Sequence, residues 1–199
     1  FNMGSPNSEW LEDWHNEFPQ TKNKIILTLP TRISQWKGVD SFIELIASLK
    51  DMNFHALVVG PTSRKKKRYL SELKDKVDEK GINNFITFTG SRNDISNIYK
   101  ISDIVYNLSI KPEPFGRTTI EALSSGAKVI GWNHGGTKEI LEELFPHGLV
   151  DLNDIDSLKS RTIEVSSKNF QSPKPNTFLS ERMTDSTISL YQELINKSL

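Results

Sequence analysis

Short apolar runs alternate with longer amphipathic segments from Lys24 onward, and this alternation is the main structural signal in the chain. Six of the runs are short and rich in β-branched residues, and we predict them as strands: residues 25–29, 56–59, 85–89, 103–108, 128–132 and 148–152. Runs such as ALVV and DIVYNL are continuously apolar, which is typical of parallel strands covered on both faces. The pattern predicts an α/β fold, a Rossmann-like parallel six-stranded sheet with helices on both faces.

Segments of helical periodicity fill the gaps between these runs. We predict them as helices: residues 39–50, 66–80, 94–101, 118–125, 138–144 and 156–167. Gly81 is a good C-terminal stop for the second helix, and Asn93 or Asp94 is a good N-cap for the third. Strand and helix therefore alternate along the chain, as in a mostly parallel sheet.

The chain divides into three predicted segments. Residues 1–23 form an N-terminal segment with a separate helix in EWLEDWHNEF, and residues 1–8, FNMGSPNS, are typical of cloning residues. Residues 24–170 form the domain that contains the sheet. Residues 171–199 comprise the linker QSPKPN and a final amphipathic helix over residues 178–196, so the proline-containing linker is a predicted boundary.

Composition excludes several classes of function. The 199 residues carry 25 basic and 25 acidic side chains, so no net charge favours nucleic acid as a partner. The chain has no cysteine, which excludes disulfides, thiol catalysis and thiolate metal sites and fits a reducing compartment. No apolar run approaches the roughly 18 residues that span a bilayer. We therefore expect a cytoplasmic protein that binds any anion through a local site.

The loops that follow the strands hold the candidate chemistry, because open parallel sheets bind ligands beyond the carboxyl ends of their strands. In LPTRISQWKG, Arg32 and Lys37 can grip a diphosphate, or they can be solvated surface charges. In VVGPTSRKKKR, the basic residues 64–68 are either a solvated helix start or a patch for an anionic membrane surface. The pattern of each loop alone leaves both interpretations open.

A third loop, KPEPFGRTTIEALSSG, combines two acids with a helix start. Its prolines hold Glu113 in extended backbone, and the amides of residues 116–119 are predicted to be free donors for an anion. Because a carboxylate repels phosphate, Glu113 should accept hydrogen bonds from neutral hydroxyls, such as those of a sugar. Glu121 lies about one turn into the helix, where it could bind a vicinal diol such as a ribose or simply stabilise the helix dipole.

A fourth loop, GWNHGGTKEIL, places Gly135 and Gly136 between a strand and a helix. Two glycines at that point allow a ligand to approach the backbone closely, or they form a tight turn without a ligand. Lys138 and Glu139 follow in the first turn of the predicted helix. The neighbouring His134 is predicted to be solvated.

These loops, taken in order, resemble a known family. RISQWKG, LVVG, ITFTG, EPFGRTTIEALSSGAKVIG and HGGTKEIL look like the donor-binding C-terminal half of retaining glycosyltransferases of the GT-B fold, family 4. The resemblance covers roughly residues 24–168, and the glutamates flanking Pro-Phe-Gly are its most specific part. The residues within these motifs most resemble those of bacterial enzymes that build lipopolysaccharide and other surface polysaccharides. One departure is Thr31, where the family usually has glycine.

The resemblance implies that a nucleotide-diphosphate sugar, a UDP-sugar above all, lies across the strand ends. It also implies that the hexose is transferred with retention of its anomeric configuration. It assigns catalytic roles to Arg32 and Lys37 at the diphosphate, and to Glu113 at hydroxyls of the transferred sugar. Further donor contacts are implied along the same loops: Arg92 at the base, Phe115, Gly116, Arg117, Thr118 and Thr119 at sugar and phosphate, Glu121 at the ribose, and Gly135 and Gly136 beside sugar and phosphate.

The resemblance also implies partners that this chain does not contain. GT-B enzymes have two similar domains with the active site between them, so a glycan or lipid-linked acceptor is expected to bind through an absent N-terminal domain. The fragment alone should therefore be inactive. Because Arg32, Lys37 and the helix N-terminus can stabilise the leaving diphosphate, we expect no metal ion and no other cofactor. Peripheral association of the full-length enzyme with the inner face of the cytoplasmic membrane is compatible with this assignment.

Two rival interpretations stay open from the sequence. The same fold could hold a nucleotide or a sugar without catalysis, as a binding module. It could also belong to another GT-B enzyme, such as a sugar-nucleotide epimerase or a phosphorylase, although these would lack the paired glutamates in this form.

Overall fold

One parallel sheet forms the centre of the molecule. The computed structural model describes residues 3–168, 170 and 180–197. Its strands pair in parallel in the order β3-β2-β1-β4-β5-β6. They are β1 Ile25–Pro30, β2 Phe54–Val59, β3 Ile86–Gly90, β4 Ile104–Asn107, β5 Lys128–Trp132 and β6 Leu149–Val150. The predicted α/β fold with a six-stranded parallel sheet is confirmed.

Helices connect and cover these strands. In the described part of the chain they are α1 Ser8–Glu17, α2 Val39–Ser48, α3 Lys67–Glu79, α4 Ile95–Ile101, α5 Arg117–Ser124, α6 Gly135–Leu144, α7 Ile155–Ser167 and α8 Ser180–Lys197. Short 3-10 turns occur at Pro19–Thr21, Gln35–Lys37, Arg64–Lys66, Asn83–Phe85 and Pro146–Gly148. None of the described helices combines the length and the apolar character that crossing a membrane requires.

The predicted bounds lie within two residues of the observed ones, apart from the start of α6. That helix begins at Gly135 instead of residue 138, so both glycines are part of it. The predicted linker over residues 171–176 and the first two residues of the predicted terminal helix lie outside the described residues. The described part of that helix is α8.

Strand order places the helices on two faces of the sheet. The chain steps from β1 to β2 to β3 and then returns to β4 on the other side of β1. Right-handed crossovers put α2 and α3 on one face and α4, α5 and α6 on the other. In agreement, α2 packs against α3 and α7, whereas α5 packs against α4 and α6. At the centre of the core Leu27, Phe42 and Val105 are completely buried.

The N-terminal helix packs directly on the sheet. Trp14 of α1 and Phe18, which follows the helix, pack against Ile26 and Leu57. The side chains of Ile26 and Leu57 point to the opposite face from those of Leu27 and its α2 neighbours. The sequence analysis predicted a helix separate from the sheet domain. In the structure, α1 supplies aromatic side chains to a hydrophobic core that it shares with β1 and β2.

Candidate functional site

The carboxyl ends of β1 and β4 lie side by side where the strand order reverses. Doubly wound sheets bind ligands at such switch points. The loops after these two strands are joined, because the Ile110 amide donates to the Trp36 carbonyl over 2.9 Å. A Cβ atom on Gly38, at φ +76°, would lie 2.0 Å from the Leu108 carbonyl oxygen, so only glycine permits this close approach. The approach brings together residues that are far apart in the sequence.

Lys37 and Glu113 form an ion pair across these two loops. Water reaches little of either side chain, since 15% of Lys37 and 20% of Glu113 is exposed. The buried Ser109 donates its hydroxyl to the same carboxylate oxygen over 2.5 Å. The Lys37 ammonium also lies 4.2 Å from the centroid of the Trp36 ring, within the range of a cation–π contact. The carboxylate and the ammonium are therefore held in fixed positions by the protein itself.

Opposing effects act on the pKa of the Glu113 carboxyl. Burial raises the pKa, whereas hydrogen bonds from Lys37 and Ser109 and the positive charges of Lys37 and Arg32 lower it. The net result is a pKa below the ordinary value of 4.5. Glu113 is consequently ionised at neutral pH, where it accepts hydrogen bonds and has no proton to donate.

A small recess adjoins this ion pair. Its volume is about 10 Å³, and its lining combines the ends of β1 and β4 with the first turn of α5. The recess gathers three of the predicted site residues, Lys37, Glu113 and Thr118. It also includes Thr31, which the sequence analysis named only as a departure from the family, and two polar residues that it did not single out, Asn107 and Ser109. These residues sit at strand ends within otherwise apolar runs, and that position is the one sequence signal that could have identified them.

Helix α5 begins directly after the Glu113 loop, with Gly116 as its N-cap at φ +56°. The Thr119 amide donates to the Gly116 carbonyl over 2.9 Å, and the Thr119 hydroxyl accepts a hydrogen bond from Asn107. This fully buried threonine is therefore engaged inside the protein. Among the described residues the amides of Arg117 and Thr118 have no comparable partner, so they are the open donors at this helix N-terminus.

The two glycines that begin α6 pack against the Glu113 loop. The Gly136 amide donates to the Glu113 carbonyl over 2.7 Å. Added Cβ atoms would lie 2.9 Å from the Glu113 amide nitrogen at Gly135 and 2.9 Å from the Gly116 amide nitrogen at Gly136. The sequence analysis left two interpretations open for this pair, the close approach of a ligand and a tight turn without one, and the resemblance implied donor contacts. In the structure the approaching backbone is the protein's own loop, and this contact accounts for the early start of α6.

Glu121 lies in the second turn of α5, beside α4. Burial, and after it the charge of Glu121, raises the pKa of the Tyr99 hydroxyl on α4, which places the carboxylate close to that side chain. Glu121 also pairs with Arg117 over 3.4 Å, but the arginine side chain is 83% exposed, so the pair is weak. The carboxylate can therefore exchange this partner for a ligand hydroxyl at little cost.

Arg92, predicted to contact the donor base, is bound to the N-terminal helix. Its guanidinium donates to both carboxylate oxygens of Glu17 and of Asp94 over 2.8–3.0 Å. It also lies 5.6 Å from the centroid of the Trp14 ring. The hydrogen bonds that Arg92 donates to Asp94, opposed by burial, are the largest cause of a pKa of Arg92 above its ordinary value. Asp94 lies two residues from Arg92, and this spacing is the sequence feature that could have indicated an ion pair within the protein. In the structure Asp94 pairs with Arg92 and makes no side-chain N-cap hydrogen bond to α4.

The fold and these strand-end groups define a doubly wound α/β domain with a preformed polar site at its switch point. The family described as glycosyl transferases group 1 matches residues 11–179. The chain belongs to this family. The match confirms the glycosyltransferase resemblance that the four loops indicated.

Two curated relatives are similar to part of the chain. Mannosylfructose-phosphate synthase of Agrobacterium fabrum is 31% identical over 122 residues, which cover 58% of this chain and 26% of the relative. The lipopolysaccharide core biosynthesis mannosyltransferase LpsB of Rhizobium meliloti is 28% identical over 112 residues, which cover 55% of this chain and 32% of the relative. The matched part thus spans about a third of each relative or less.

Solved glycosyltransferase structures share the fold. A glycosyltransferase from Rickettsia africae is 26% identical, with a TM-score of 0.84 over 96% of this chain and 53% of the other. HepE of Anabaena, solved in complex with UDP-glucose, is 24% identical, with a TM-score of 0.79 over 100% of this chain and 56% of the other. This chain therefore corresponds to about half of each of these GT-B proteins.

Proposed function

We propose that this chain is the donor-binding half of a retaining family 4 glycosyltransferase. It would bind a nucleotide-diphosphate hexose, with a UDP-sugar as the first candidate, for transfer to a glycan acceptor in lipopolysaccharide or other surface polysaccharide synthesis. The largely buried Lys37–Glu113 pair at the switch point is the observation that carries the proposal. It offers one cation for phosphate and one carboxylate for hydroxyls within a single fixed unit.

The donor diphosphate would lie between Arg32, Lys37 and the start of α5. Arg32 is close enough to Glu113 for its charge to lower the pKa of that carboxyl, so it faces the same site. The open amides of Arg117 and Thr118 add the positive end of a helix. Two cations and a helix N-terminus can neutralise a diphosphate, and a metal ion is therefore not required in this proposal.

The sugar and the ribose would be bound by the two glutamates. Glu113, ionised and held by Ser109, would accept hydrogen bonds from hydroxyls of the transferred hexose. The neighbouring Phe115 is 80% exposed, so its ring and its backbone next to Gly116 are open to a sugar. Glu121, on the α4 side of α5, would accept hydrogen bonds from the ribose.

The chemistry that this half supplies is stabilisation of the leaving group. When the bond between the anomeric carbon and the diphosphate oxygen breaks, the electron pair stays on the nucleotide diphosphate. Arg32, Lys37 and the α5 amides would hold that growing negative charge more tightly than they hold the intact donor. Glu113 would position the sugar. The acceptor would come from the part of a GT-B enzyme that this chain does not contain, so the chain alone should not transfer sugar.

The names of similar proteins favour an acceptor class and a donor base. LpsB is named as a lipopolysaccharide core mannosyltransferase, which favours a surface glycan as the acceptor. HepE is described in complex with UDP-glucose, which favours a uridine donor. A cytoplasmic location, with peripheral contact to the membrane, completes the proposal.

Calorimetric titration of nucleotides and nucleotide sugars tests donor binding directly. UDP, GDP and ADP and their hexose conjugates would be titrated into the chain, each in the presence of either magnesium or EDTA. We expect one base to bind with a dissociation constant below millimolar, its conjugate to bind more tightly, and EDTA to change neither affinity. Binding of no member below millimolar would contradict the proposal, and binding that needs magnesium would contradict its metal-free form. A non-catalytic module would give the same binding, but no sugar transfer by any full-length form.

A further inference from the structure

A second cavity opens between the loops that follow β1 and β2. Its volume is about 310 Å³, which is at the lower end of the roughly 300–1,000 Å³ of small-molecule sites. We call it the cationic cleft and define it by six of its lining residues: Arg32, Ser34, Trp36, Lys37, Ser63 and Lys66. The two loops lead into helices α2 and α3. The cleft therefore lies at the strand ends, on the side of the sheet that these helices cover.

The charges in the cationic cleft are only partly balanced by the protein. Its lining includes three cations and no acid. Lys37 is paired with Glu113. Within the described ranges, neither the Arg32 guanidinium nor the Lys66 ammonium makes a hydrogen bond or an ion pair. Two unpaired cations facing one cavity repel each other, and a bound anion would relieve that repulsion.

Positive charge continues from Lys66 along the adjoining surface. Residues 64–68 are consecutive cations in a chain whose net charge is zero. Arg68 pairs with Glu72, but this pair is exposed and therefore weak. Arg64, Lys65 and Lys67 are exposed at the same surface. These neighbours raise the positive potential at the cleft without lining it.

The remaining side chains suit a phosphate that is attached to an organic group. The hydroxyls of Ser34 and Ser63 can donate hydrogen bonds to phosphate oxygens. The partly exposed Trp36 ring offers an apolar face for a sugar ring or a glycerol unit. An inorganic anion would leave this aromatic wall uncovered.

The cleft is separate from the position proposed for the donor diphosphate. Its lining comes from the loops after β1 and β2, whereas the amides of Arg117 and Thr118 belong to α5 on the other face of the sheet. Arg32 and Lys37 form the wall between the two positions. A diphosphate at α5 would therefore leave Lys66 and Ser63 available.

We propose that the cationic cleft binds a phosphate group carried by a second ligand, in addition to the nucleotide sugar. The carrier is either a phosphorylated sugar or the headgroup of an anionic lipid, and both present the same phosphate to Lys66 and Ser63. The identification of this ligand as the acceptor or its lipid carrier rests on the proposed function. Binding of the phosphate itself does not.

The test uses the chain saturated with UDP, or with the nucleotide that the calorimetric panel identifies. Mannose 6-phosphate and mannose are titrated to compare a sugar with and without phosphate. Co-sedimentation with vesicles of phosphatidylcholine alone, or of equal parts phosphatidylcholine and phosphatidylglycerol, tests the lipid source. Lys66→Ala should weaken the phosphate-dependent binding by about tenfold or more, as expected for loss of a charge-assisted hydrogen bond.

Two matched variants separate a cleft from a diffuse charged surface. Lys65→Ala removes a cation of the same run that does not line the cleft, and Lys22→Ala removes an exposed cation that precedes β1 at the opposite end of the sheet. Each should change binding by less than about twofold, as expected for surface charges that are screened by solvent. Thermal unfolding of each variant would show that the fold is unchanged.

The outcomes assign the ligand or overturn the inference. Saturable binding of mannose 6-phosphate, but not of mannose, assigns a phosphorylated sugar, whereas binding only to phosphatidylglycerol vesicles assigns a lipid headgroup. The inference fails if neither probe binds, if Lys65→Ala weakens binding as much as Lys66→Ala, or if the nucleotide displaces the sugar phosphate. Absence of nucleotide binding in the panel would overturn the donor proposal alone, since the cleft can then be titrated without nucleotide.

Discussion

Replacement of Glu113 by alanine should abolish the difference in affinity between a nucleotide sugar and its nucleotide. The carboxylate is the group proposed to bind sugar hydroxyls, whereas base and diphosphate are bound elsewhere. Hydrogen bonds to a charged group contribute about 1.5–3 kcal/mol, so the sugar-dependent part of the affinity should fall by roughly one to two orders of magnitude. Calorimetry of the conjugate and of the free nucleotide, with both proteins, measures this difference.

A surface ion pair supplies the control for the Glu113 variant. Glu142 pairs with Lys138 over 3.5 Å, and both side chains are well exposed. Glu142→Ala therefore removes a carboxylate from a lysine without touching the site, and it should leave both affinities unchanged. Equal losses for the conjugate and the free nucleotide in Glu113→Ala would contradict the assignment, because they would show that Glu113 acts on the diphosphate or on folding.

Gly38→Ala should lower the free energy of unfolding by about 3 kcal/mol or more, since it combines a strained backbone with an overlap inside packed structure. Its φ of +76° disfavours any side chain, and the new Cβ atom would lie 2.0 Å from a backbone oxygen of Leu108. The chain can relieve the overlap only by separating the loop of Lys37 from the end of β4. Chemical denaturation measures the loss, and donor affinity should fall in the same variant.

Gly81 provides a matched comparison for backbone strain without overlap. Its φ is +62°, but the nearest atom to an added Cβ is the side-chain nitrogen of Lys50 at 3.9 Å, which is an ordinary contact distance. Gly81→Ala should therefore cost only about 1 kcal/mol, the strain of a left-handed residue. If the two alanine variants were equally stable, the close approach at Gly38 would not be what fixes the site.

The sheet could be predicted because the pattern of apolar residues along a strand reflects which of its faces are buried. Strands covered on both faces need continuous apolar runs, such as ALVV in β2 and IVY in β4. The attachment of α1 could not be predicted, because EWLEDWHNEF shows an apolar stripe but not the surface that receives it. That surface is formed by Ile26 and Leu57, which lie on one face of separate strands. Only the sheet's pairing reveals that they are neighbours.

The candidate site, like the fold, could be predicted from the sequence only in part. The loops of Arg32, Lys37 and Glu113 were identified because unusual residues follow strands, and the strand order then brings them together. Arg92 and the two glycines could also serve structural purposes, and the sequence did not distinguish these from ligand contacts. In the structure, Arg92 holds α1, and Gly136 holds the Glu113 loop. The ion pairs and hydrogen bonds that decide such cases join residues far apart in the chain.

A crystal structure of the chain with the nucleotide sugar selected by calorimetry tests the central claim most directly. The account predicts diphosphate oxygens within hydrogen-bonding distance of Arg32, Lys37 and the amides of Arg117 and Thr118. It also predicts hexose hydroxyls on Glu113 and the ribose on Glu121. A diphosphate bound away from α5, for example on Ser63 and Lys66 in the cationic cleft, or a hexose that does not contact Glu113, would contradict it.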